Sequence, residues 1–288
     1  MTQRPIESTG HSRVAVGPAI FPDPNTLPIE KIDEFCDDPD FVTSLARGLA
    51  VLLALSDKKR HLSIAQVSYC TGIPRAAVRR SLLTLAKLGF AACDDTHQFY
   101  LRPRVLSFSH AYLSASPISM LAQPVLDRLS ESIGEACSLA VMDGDDIVYL
   151  CRSTSSRIMS PILNVGRRQP AYCTSLGNIL LSLLPQQELD AYLSRVHILP
   201  FTPYAIDSVA KLRVLLDKVR EVGYSFMSQQ TVLLLCSLAV PVSDTSGRHV
   251  AAINVIRQGQ LLEVDEMTAR FLVPLQNAAR ELGALLTP

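Results

Sequence analysis

Apolar residues recur at helical spacing in three short stretches near the start of the chain. In the first stretch Val42, Leu45, Leu49 and Leu52 share one face, which predicts a helix that begins near Phe41. The forty residues before it contain six prolines and no sustained apolar period. This composition predicts a largely disordered or loosely docked extension.

The second and third stretches are bounded by residues that commonly begin and end helices. Ser63 is the expected N-cap of a second helix, and Gly72 suits the left-handed turn that ends it. Pro74 then stands in the first turn of a third helix, where proline is tolerated. Two extended runs, 90–93 and 98–101, follow on either side of a polar turn. Helix, turn, helix and hairpin is the order of a winged helix-turn-helix.

The rest of the chain mixes helices with paired strands. Pro103 opens a helix over 104–114, and its place between two halves suggests a linker. Two hairpins are expected, with strands at 136–142 and 147–152 and at 238–242 and 250–256. Further helical periods cover 120–133, 174–184, 187–193, 209–222 and 265–286, the last with a bend expected at Pro274. Helices packed on an antiparallel sheet from distant hairpins predict an α+β sensor domain.

Charge is unevenly distributed, although the formal net charge of the 288 residues is zero. The pattern divides the chain into an extension (1–40), a winged helix-turn-helix domain (41–102), a linker helix (103–117) and an α+β domain (118–288). The extension has three basic and eight acidic residues, the second segment nine basic and three acidic, and the rest 15 and 16. A basic segment beside a larger neutral one indicates an anionic partner, most commonly nucleic acid.

Composition excludes several classes of protein. With 48% hydrophobic residues the chain can bury a sizeable core, and its length suits two domains. It has no apolar run long enough for a membrane helix and no signal-peptide core. The seven cysteines form no CxxC pair, so we expect neither a metal cluster nor disulfides, and the protein is predicted to be cytoplasmic. No cofactor is predicted.

The third helix carries the pattern expected of a DNA-reading element. Its N-terminal end, which in this motif meets base edges in the major groove, has three arginines in six residues. Arginine can donate two parallel hydrogen bonds to guanine, and arginine or serine can hold phosphates. A solvated basic helix of another fold is the alternative, but the glycine turn and the wing favour DNA. The predicted DNA-contacting residues are Ser63, Arg75, Ala76, Arg79, Arg80, Ser81 and Arg102, whereas Lys58, Lys59 and Arg60 are phosphate contacts or simply exposed.

Several stretches of the sequence resemble a known family. Residues 62–113, LSIAQVSYCTGIPRAAVRRSLLTLAKLGFAACDDTHQFYLRPRVLSFSHAYL, resemble the DNA-binding half of IclR-family regulators, and SLARGLAVLLAL (44–55) resembles their first helix. The likeness continues through GDDIVYLCRS, NVGRRQPAYCTSLGNILLSLL, VREVGYSFMSQQ and SLAVPVSDTSGRHVAAINV, so it covers nearly everything from Phe41 onward. RRSLLTL, RPRVLSF and AYCTSLG are most similar to the branch that controls aromatic-acid catabolism, the PobR/PcaU/PcaR type.

The resemblance implies a winged-helix homodimer, often paired into a homotetramer, on a pseudo-palindromic duplex operator. It also implies a GAF-like or profilin-like C-terminal domain that binds a small aromatic carboxylic acid in a closed pocket on its antiparallel sheet. The effectors expected for this branch are 4-hydroxybenzoate, protocatechuate and β-ketoadipate. Many members are activators, which makes RNA polymerase a partner if this chain activates transcription.

An aromatic acid needs an apolar slot, a partner for its carboxylate and a polar group for its hydroxyl. Thr174 and Ser175 open a helix, so their hydroxyls and the free backbone N–H groups can seat a carboxylate. Arg152, at the end of a predicted strand, is a candidate counter-ion. Tyr172 can supply an aromatic wall or belong to the core.

Further lining residues follow from strand alternation and from the resemblance. Ser138 and Ala140 share one face of their strand. The resemblance places Ser228, Ser237, Ala239 and Asn254 around the same cavity. Relatives often carry an acidic residue where this chain has Ser228, so the pocket is expected to be less charged and to suit a flat, largely apolar ligand. Arg167 and Arg168 are expected in solvent.

The alternatives to a regulator explain less of the chain. An enzyme would use Cys173 or Cys137 as a nucleophile, but the four cysteines of the second half fall in the predicted core, where cysteine is a small hydrophobe. No histidine lies at triad or metal-ligand spacing. A scaffold joined through the linker helix leaves the polar pocket unexplained. We therefore expect a regulator without enzymatic activity, in which effector binding reshapes the sheet and the loop 166–172 and acts on the wings through the linker helices.

Overall fold

A small helical unit with a two-stranded hairpin is followed by a six-stranded sheet covered by helices. It is seen in a computed structural model that describes residues 32–35, 37–56, 61–154 and 164–287. Most of the predicted extension 1–40, and the basic residues Lys58, Lys59 and Arg60, therefore lie outside the described residues. Ordered packing begins before Phe41, because Ile32 is buried in the core of the helical unit.

The helical unit has the predicted order of elements. Ser63 caps its second helix reciprocally, since its side chain accepts the N–H of Gln66 and the Gln66 side chain accepts the N–H of Ser63. Gly72 ends that helix with a φ of +72°. A bridge between Leu62 and Phe99 adds a third short segment to the hairpin. The elements are α1 (Thr43–Ala54), α2 (Ile64–Thr71), α3 (Arg75–Lys87), β1 (Ala91–Cys93) and β2 (Phe99–Leu101).

The apolar face predicted for α1 is not the face that the structure buries. Val42, Leu45 and Leu49 are 50–61% exposed, and the residues that enter the core are Ala50, Val51 and Ala54 on another face. Small side chains at this contact let α1 approach the neighbouring helices closely. The larger apolar residues are left as an exposed stripe.

The linker is a kinked helix rather than a single rod. A 3₁₀ turn at Pro103–Val105 leads into α4 (Leu106–Ala115), and α5 (Pro117–Ile133) follows after one residue. That residue, Ser116, is extended, with φ −93° and ψ 107°, because the ring of a following proline disfavours helical backbone.

The six strands of the second half form one antiparallel sheet in the order β5-β4-β3-β8-β7-β6. Both predicted hairpins are present, and they meet where β3 pairs with β8. The short strands β5 and β6 were not predicted, because three or four residues are too few to show alternation. The strands are β3 (Ala136–Asp143), β4 (Asp146–Ser153), β5 (Arg168–Pro170), β6 (Ser225–Ser228), β7 (Leu235–Ser243) and β8 (His249–Gln258).

Helices cover both faces of this sheet. On one face α5 and the C-terminal helix pack in the larger core, and on the other face three helices pack in a second core. Those three are α6 (Ser175–Ser182), α7 (Gln186–Arg195) and α8 (Val209–Val222). The predicted α+β class with an antiparallel sheet is confirmed. No helix among the described residues is long and apolar enough to cross a membrane.

The C-terminal helix contains a π-helical turn just before Pro274, where a bend was predicted. After α9 (Val264–Met267) the π turn occupies Thr268–Leu272, and α10 (Val273–Leu285) follows. Pro274 therefore lies in the first turn of α10. The wider π turn before it accommodates the missing N–H and the ring of the proline.

Candidate DNA interface and effector cavity

Helix α3 separates a buried face from a basic exposed face. Val78 and Leu82 are fully buried in the core of the helical unit. The predicted DNA-contacting residues Arg75, Ala76, Arg79 and Arg80 are exposed, and Ser81 is half-buried beside them. The N-terminal half of α3 thus presents three guanidinium groups to solvent, as an element entering the major groove requires.

The two other predicted DNA-contacting residues flank this helix. Ser63 is committed to the N-cap of α2, so its hydroxyl already accepts a backbone N–H at 3.3 Å. Arg102 follows the hairpin, and its backbone N–H donates to the carbonyl of Phe90 while its side chain remains exposed. Arg102 is therefore available for a phosphate, whereas Ser63 mainly positions α2.

The wing turn is organised around one carboxylate. Asp94 accepts hydrogen bonds from the backbone N–H groups of Thr96 and Gln98 and from the Thr96 hydroxyl. Its second oxygen lies 2.6 Å from Nδ1 of His61, whose ring stacks on Tyr100 with centroids 4.7 Å apart. The bond from His61, followed by those from Thr96 and Gln98, holds the pKa of Asp94 far below its usual range.

We expect Asp94→Asn to destabilise the protein in a pH-dependent way. Because the pKa of Asp94 is lower in the folded than in the unfolded chain, the ionised carboxylate stabilises the fold above a pH of about 4, the ordinary value. That contribution is lost as the pH falls towards the lowered pKa. Urea unfolding at pH 7 and pH 3 should therefore show a wild-type advantage that shrinks in acid. Asp95→Asn, in the same turn, is the control, and an equal Asp94→Asn effect at both pH values would contradict this account.

A cavity lies between the N-terminal end of α6 and the middle of the sheet. Four of the predicted effector residues line it: Thr174, Ser175, Ser237 and Asn254. The other lining residues were not predicted from the sequence, and they are Tyr149, Gln169, Cys173, Met227, Gln230, Thr231, Val232, Leu235 and Ile256. The lining therefore combines apolar side chains with polar groups that lie at the helix end, on the sheet and in the loop between β6 and β7.

The polar end of the cavity has the features of a carboxylate seat. Thr174 caps α6, and its hydroxyl accepts the N–H of Gly177 at 2.9 Å. The N–H groups of Ser175 and Leu176 have no acceptor within the helix and carry its positive dipole end. Asn254 donates to the Ser175 hydroxyl at 3.4 Å, and its own Oδ1 is buried without a hydrogen-bond partner among the described residues. This oxygen can accept from a ligand hydroxyl or a water, whereas the remaining Nδ2 hydrogen is the one that can donate to a carboxylate.

The aromatic wall is Tyr149 rather than Tyr172. Tyr149 is 2% exposed, lines the cavity, and donates from its hydroxyl to Oε1 of Gln169 at 2.8 Å. Tyr172 belongs to the neighbouring core, where its ring stacks on Phe201 and its hydroxyl bonds to the backbone of Leu199. Strand alternation from Ile147 places Tyr149 on the cavity face, so the signal for it was present in the sequence.

The strand residues of the predicted site divide between the two faces of the sheet. Ser138, Ala140 and Ala239 are buried on the cavity face, but they are not among the residues that line the cavity. Ser228 lies on the opposite face, because it pairs with Cys236 while the cavity-lining Met227 pairs with Ser237. The implied role of Ser228 as a lining residue is therefore corrected to Met227, since adjacent strand residues point to opposite faces.

The candidate cations occupy different positions from those expected. Arg152 is half-buried on the cavity face, because it pairs with Ser138, which also pairs with Asn254. Burial lowers the pKa of Arg152 from its ordinary value. The expectation that Arg167 and Arg168 are in solvent is wrong. Arg168 is held by the carboxylates of Asp143 and Asp146, and Nε of Arg167 is buried.

The loop between β6 and β7 closes the other side of the cavity. Gln230 is anchored on both sides of its amide, which accepts the N–H of Ile206 at 2.8 Å and donates to the carbonyl of Tyr204 at 2.9 Å. Gln229 and Leu234, at the two ends of the loop, have φ values of +53° and +60°. Left-handed backbone at residues with a Cβ is strained. No sequence signal marks such a loop, because its position depends on contacts with residues 204–206.

The cavity that these residues line is small. Its volume is about 30 Å³, whereas a cavity of roughly 150 Å³ holds a benzene molecule. A ring-sized ligand therefore requires the lining to move, and the strained β6–β7 loop is the part best placed to do so.

The buried cysteines lack the properties of nucleophiles. Burial raises the pKa of Cys137 to about 12 and that of Cys151 to about 11, and it also raises the pKa of the cavity residue Cys173. These thiols are protonated at neutral pH, whereas the thiolate is the reactive form.

The two halves of the chain match two domains of one bacterial family. Residues 44–95 match the IclR helix-turn-helix domain, and residues 110–284 match the domain described as "Bacterial transcriptional regulator IclR C-terminal". The second match covers more than half of the chain.

Named relatives agree with these matches. The Pca regulon regulatory protein of Pseudomonas putida is 45% identical over 88% of this chain and 88% of its own length. The p-hydroxybenzoate hydroxylase transcriptional activator of Acinetobacter baylyi is 33% identical over 86% and 93%. A double mutant of the PobR inducer-binding domain from Acinetobacter, solved with 3-hydroxybenzoic acid, superposes with a TM-score of 0.55 at 28% identity, over 58% of this chain and 98% of that one. These relatives are regulators rather than enzymes, and they confirm the predicted likeness to the aromatic-catabolism branch. The chain belongs to the IclR family of bacterial transcriptional regulators.

Proposed function

We propose that this regulator senses a small aromatic carboxylic acid, such as 4-hydroxybenzoate, and controls genes for aromatic-compound catabolism. The observation that carries the proposal is the cavity itself, which joins a helix N-terminus and Asn254 to walls of Tyr149, Met227 and Ile256. Such a site can seat one carboxylate and enclose an aromatic ring. Similarity to an activator named for p-hydroxybenzoate hydroxylase supports the same ligand class.

The cavity also favours a ligand with a second polar group. Tyr149 and Gln169 form a hydrogen-bonded pair in its wall, and this pair can exchange partners with a ring hydroxyl. Protocatechuate, which adds a second hydroxyl to the same skeleton, is the nearest alternative effector. β-Ketoadipate is the non-aromatic alternative, for which Arg152 on the cavity face is a candidate partner.

We further propose that the protein acts as a homodimer or homotetramer on duplex operator DNA. We assign the segments the roles that the sequence predicts: an extension (1–40), a DNA-binding domain (41–102), a linker helix (103–117) and an effector domain (118–288). Leu45 of α1 and Leu106, Phe108 and Tyr112 of the linker region are 55–64% exposed in a single chain. Exposed apolar residues of this size are expected to be covered by a second copy. As an activator, the dimer would also contact RNA polymerase.

Isothermal titration with 4-hydroxybenzoate, protocatechuate and β-ketoadipate, side by side, tests the ligand assignment. Micromolar binding of an aromatic acid supports the proposal, and preference for β-ketoadipate replaces the aromatic effector by the dicarboxylate. If none of the three acids binds to the folded protein, the assignment of an aromatic-acid effector is wrong. A separate assay would then measure whether the protein binds the DNA upstream of its own gene, at moderate salt, with and without each acid. Binding that does not change with any acid would indicate a regulator that does not depend on these effectors.

Asn254→Leu is expected to weaken ligand binding without weakening the fold. The Nδ2 hydrogen that is not used for Ser175 would donate to the ligand carboxylate. A hydrogen bond to a charged group is worth about 1.5–3 kcal/mol, so 4-hydroxybenzoate affinity should fall by about 10- to 100-fold. The free energy of unfolding should change little, because the variant loses the bond to the Ser175 hydroxyl but also removes a buried acceptor that has no partner.

Asn178→Leu is the matched control for this change. Asn178 is also fully buried with an unpaired Oδ1, but its amide contacts the Met227 sulfur and it does not line the cavity. It should retain the ligand affinity of the wild type. An equal loss of affinity in both variants would contradict the assigned seat.

A further inference from the structure

We infer that Gln123, on α5, couples the effector cavity to the linker helix by holding the edge of β4. The inference rests on the proposed function, since it concerns how the state of the cavity reaches the DNA-binding domain. It follows from three sets of contacts that form one continuous route.

The first contacts join β4 to the cavity and to the loop beside it. The side chain of Tyr149 lines the cavity from the middle of β4. The backbone of the same residue is bonded twice to that loop, because its N–H donates to the carbonyl of Arg167 at 3.0 Å and its carbonyl accepts the N–H of Gly166 at 2.8 Å. A ligand that displaces the ring or the loop therefore displaces β4.

The second set of contacts lies along the part of the β4 edge with which no described strand pairs. β5 pairs with β4 only over Asp146–Val148, and no other strand of the described chain follows that edge. Near the end of β4, the side chain of Gln123 bonds to this edge in place of a neighbouring strand. Its Nε2 donates to the carbonyl of Arg152 at 3.0 Å and to Oδ1 of Asp127 at 2.9 Å, which uses both amide hydrogens.

A second bond joins the same two elements. The thiol of Cys151 donates to the carbonyl of Ser119 at 3.2 Å, one turn before Gln123. Arg152 is three residues from Tyr149, which is about 10 Å along a strand. The edge of β4 beside the cavity is thus completed by the first two turns of α5 instead of by a strand.

The third contacts lie where α5 meets the linker. Ser116 breaks the helix between α4 and α5, and Ser119 lies three residues after this break. Leu113 of α4 and Ile118 and Leu121 of α5 pack against the same core as β4. A shift of β4 therefore acts on α5 immediately beside the kink, where a small change of angle redirects α4 and the DNA-binding domain.

Linkage provides a test that does not depend on knowing the effector. If two sites are coupled, the effector and DNA change each other's affinity by the same factor, typically about 5- to 150-fold. DNA binding alone must therefore alter the state of the effector domain. We would measure amide hydrogen exchange of β4 and of the first two turns of α5 in the full chain. The probe is a duplex of its own upstream region, and exchange is compared with and without it.

The decisive variant is Gln123→Glu, which keeps the shape of the side chain but cannot donate to Arg152. Gln123→Ala removes the same donor without placing a charge beside Asp127. The matched control is Gln186→Glu on α7, because Gln186 donates to Asp190 at 3.1 Å with the same spacing but far from the linker. Wild type and Gln186→Glu should show the DNA-dependent change in exchange, and both Gln123 variants should lose most of it. Both variants should still bind the duplex, and their melting temperature should fall by about 2–4 °C at most, the shift expected for one lost hydrogen bond in a domain of this size.

The experiment distinguishes a failure of the proposed function from a failure of the route through Gln123. If the wild type does not bind the duplex, the proposed function is overturned and this inference with it. If the duplex binds but exchange in β4 does not respond, or responds equally in the Gln123 variants, only the route through Gln123 is overturned.

Discussion

The double variant Arg79→Ala, Arg80→Ala should lose specific DNA binding and keep its affinity for the effector. Both side chains are exposed on the basic face of α3, opposite the buried Val78 and Leu82. Each arginine that reads a base bidentately is worth about 1–3 kcal/mol, so the loss of two is expected to weaken binding by about 30-fold to 10⁴-fold. Fluorescence anisotropy with the upstream duplex, at one fixed salt concentration, measures this loss.

A charge-matched control separates base reading from net charge. Lys218→Ala, Arg270→Ala also removes two positive charges, but both residues are exposed on helices of the effector domain. This control should bind DNA almost as the wild type does. Equal weakening in both double variants would show that only overall charge matters. Loss of effector affinity in the α3 variant would argue against separable domains.

The DNA-binding half could be predicted almost completely because its signals are local. An N-cap at Ser63 and a glycine turn at Gly72 depend on neighbouring residues only, and both are found where expected. Pro74, expected in the first turn of α3, lies one residue earlier, at its N-cap. The buried face of α1 could not be predicted in the same way. A count of large apolar residues selects Leu45 and Leu49, whereas close helix packing selects the smaller Ala50 and Ala54.

Local patterns alone predict the cavity only where one element supplies its residues. Thr174 and Ser175 follow from the start of a helix, and this local event also creates the carboxylate seat. Ser237 and Asn254 follow from the family resemblance, which also placed Ser228 in the lining. The alternation of β6, which puts Met227 there instead, has no signal in so short a strand. The β6–β7 loop was missed altogether, because its position depends on contacts with a segment more than twenty residues away.

Gly177→Ala is expected to destabilise the effector domain. A Cβ at this position would lie 2.1 Å from the carbonyl oxygen of Ala171 and 2.5 Å from its Cα. Both are backbone atoms, so α6 must move away from the turn at Ala171–Cys173, which adjoins the cavity. Overpacking of this kind costs about 1–3 kcal/mol, occasionally more, and exceeds the gain of about 1 kcal/mol from alanine in a helix. Denaturant unfolding would measure the net loss.

The same movement should disrupt the carboxylate seat, because the first N–H groups of α6 move with the helix. We expect affinity for 4-hydroxybenzoate to fall by at least about tenfold, the equivalent of one charge-assisted hydrogen bond. Gly48→Ala is the first control, since nothing lies within 4 Å of its added Cβ, and it should stabilise α1 by up to about 1 kcal/mol.

Gly283→Ala is the control that separates stability from binding. Its Cβ would lie 2.2 Å from the carbonyl oxygen of Ser243, so α10 is overpacked as severely as α6 is in Gly177→Ala. Gly283 lies on the opposite face of the sheet from the cavity. It should therefore lose stability and keep its affinity for 4-hydroxybenzoate. If both glycine variants lose affinity equally, the ligand responds to the general stability of the domain, and the N-terminus of α6 is not its seat.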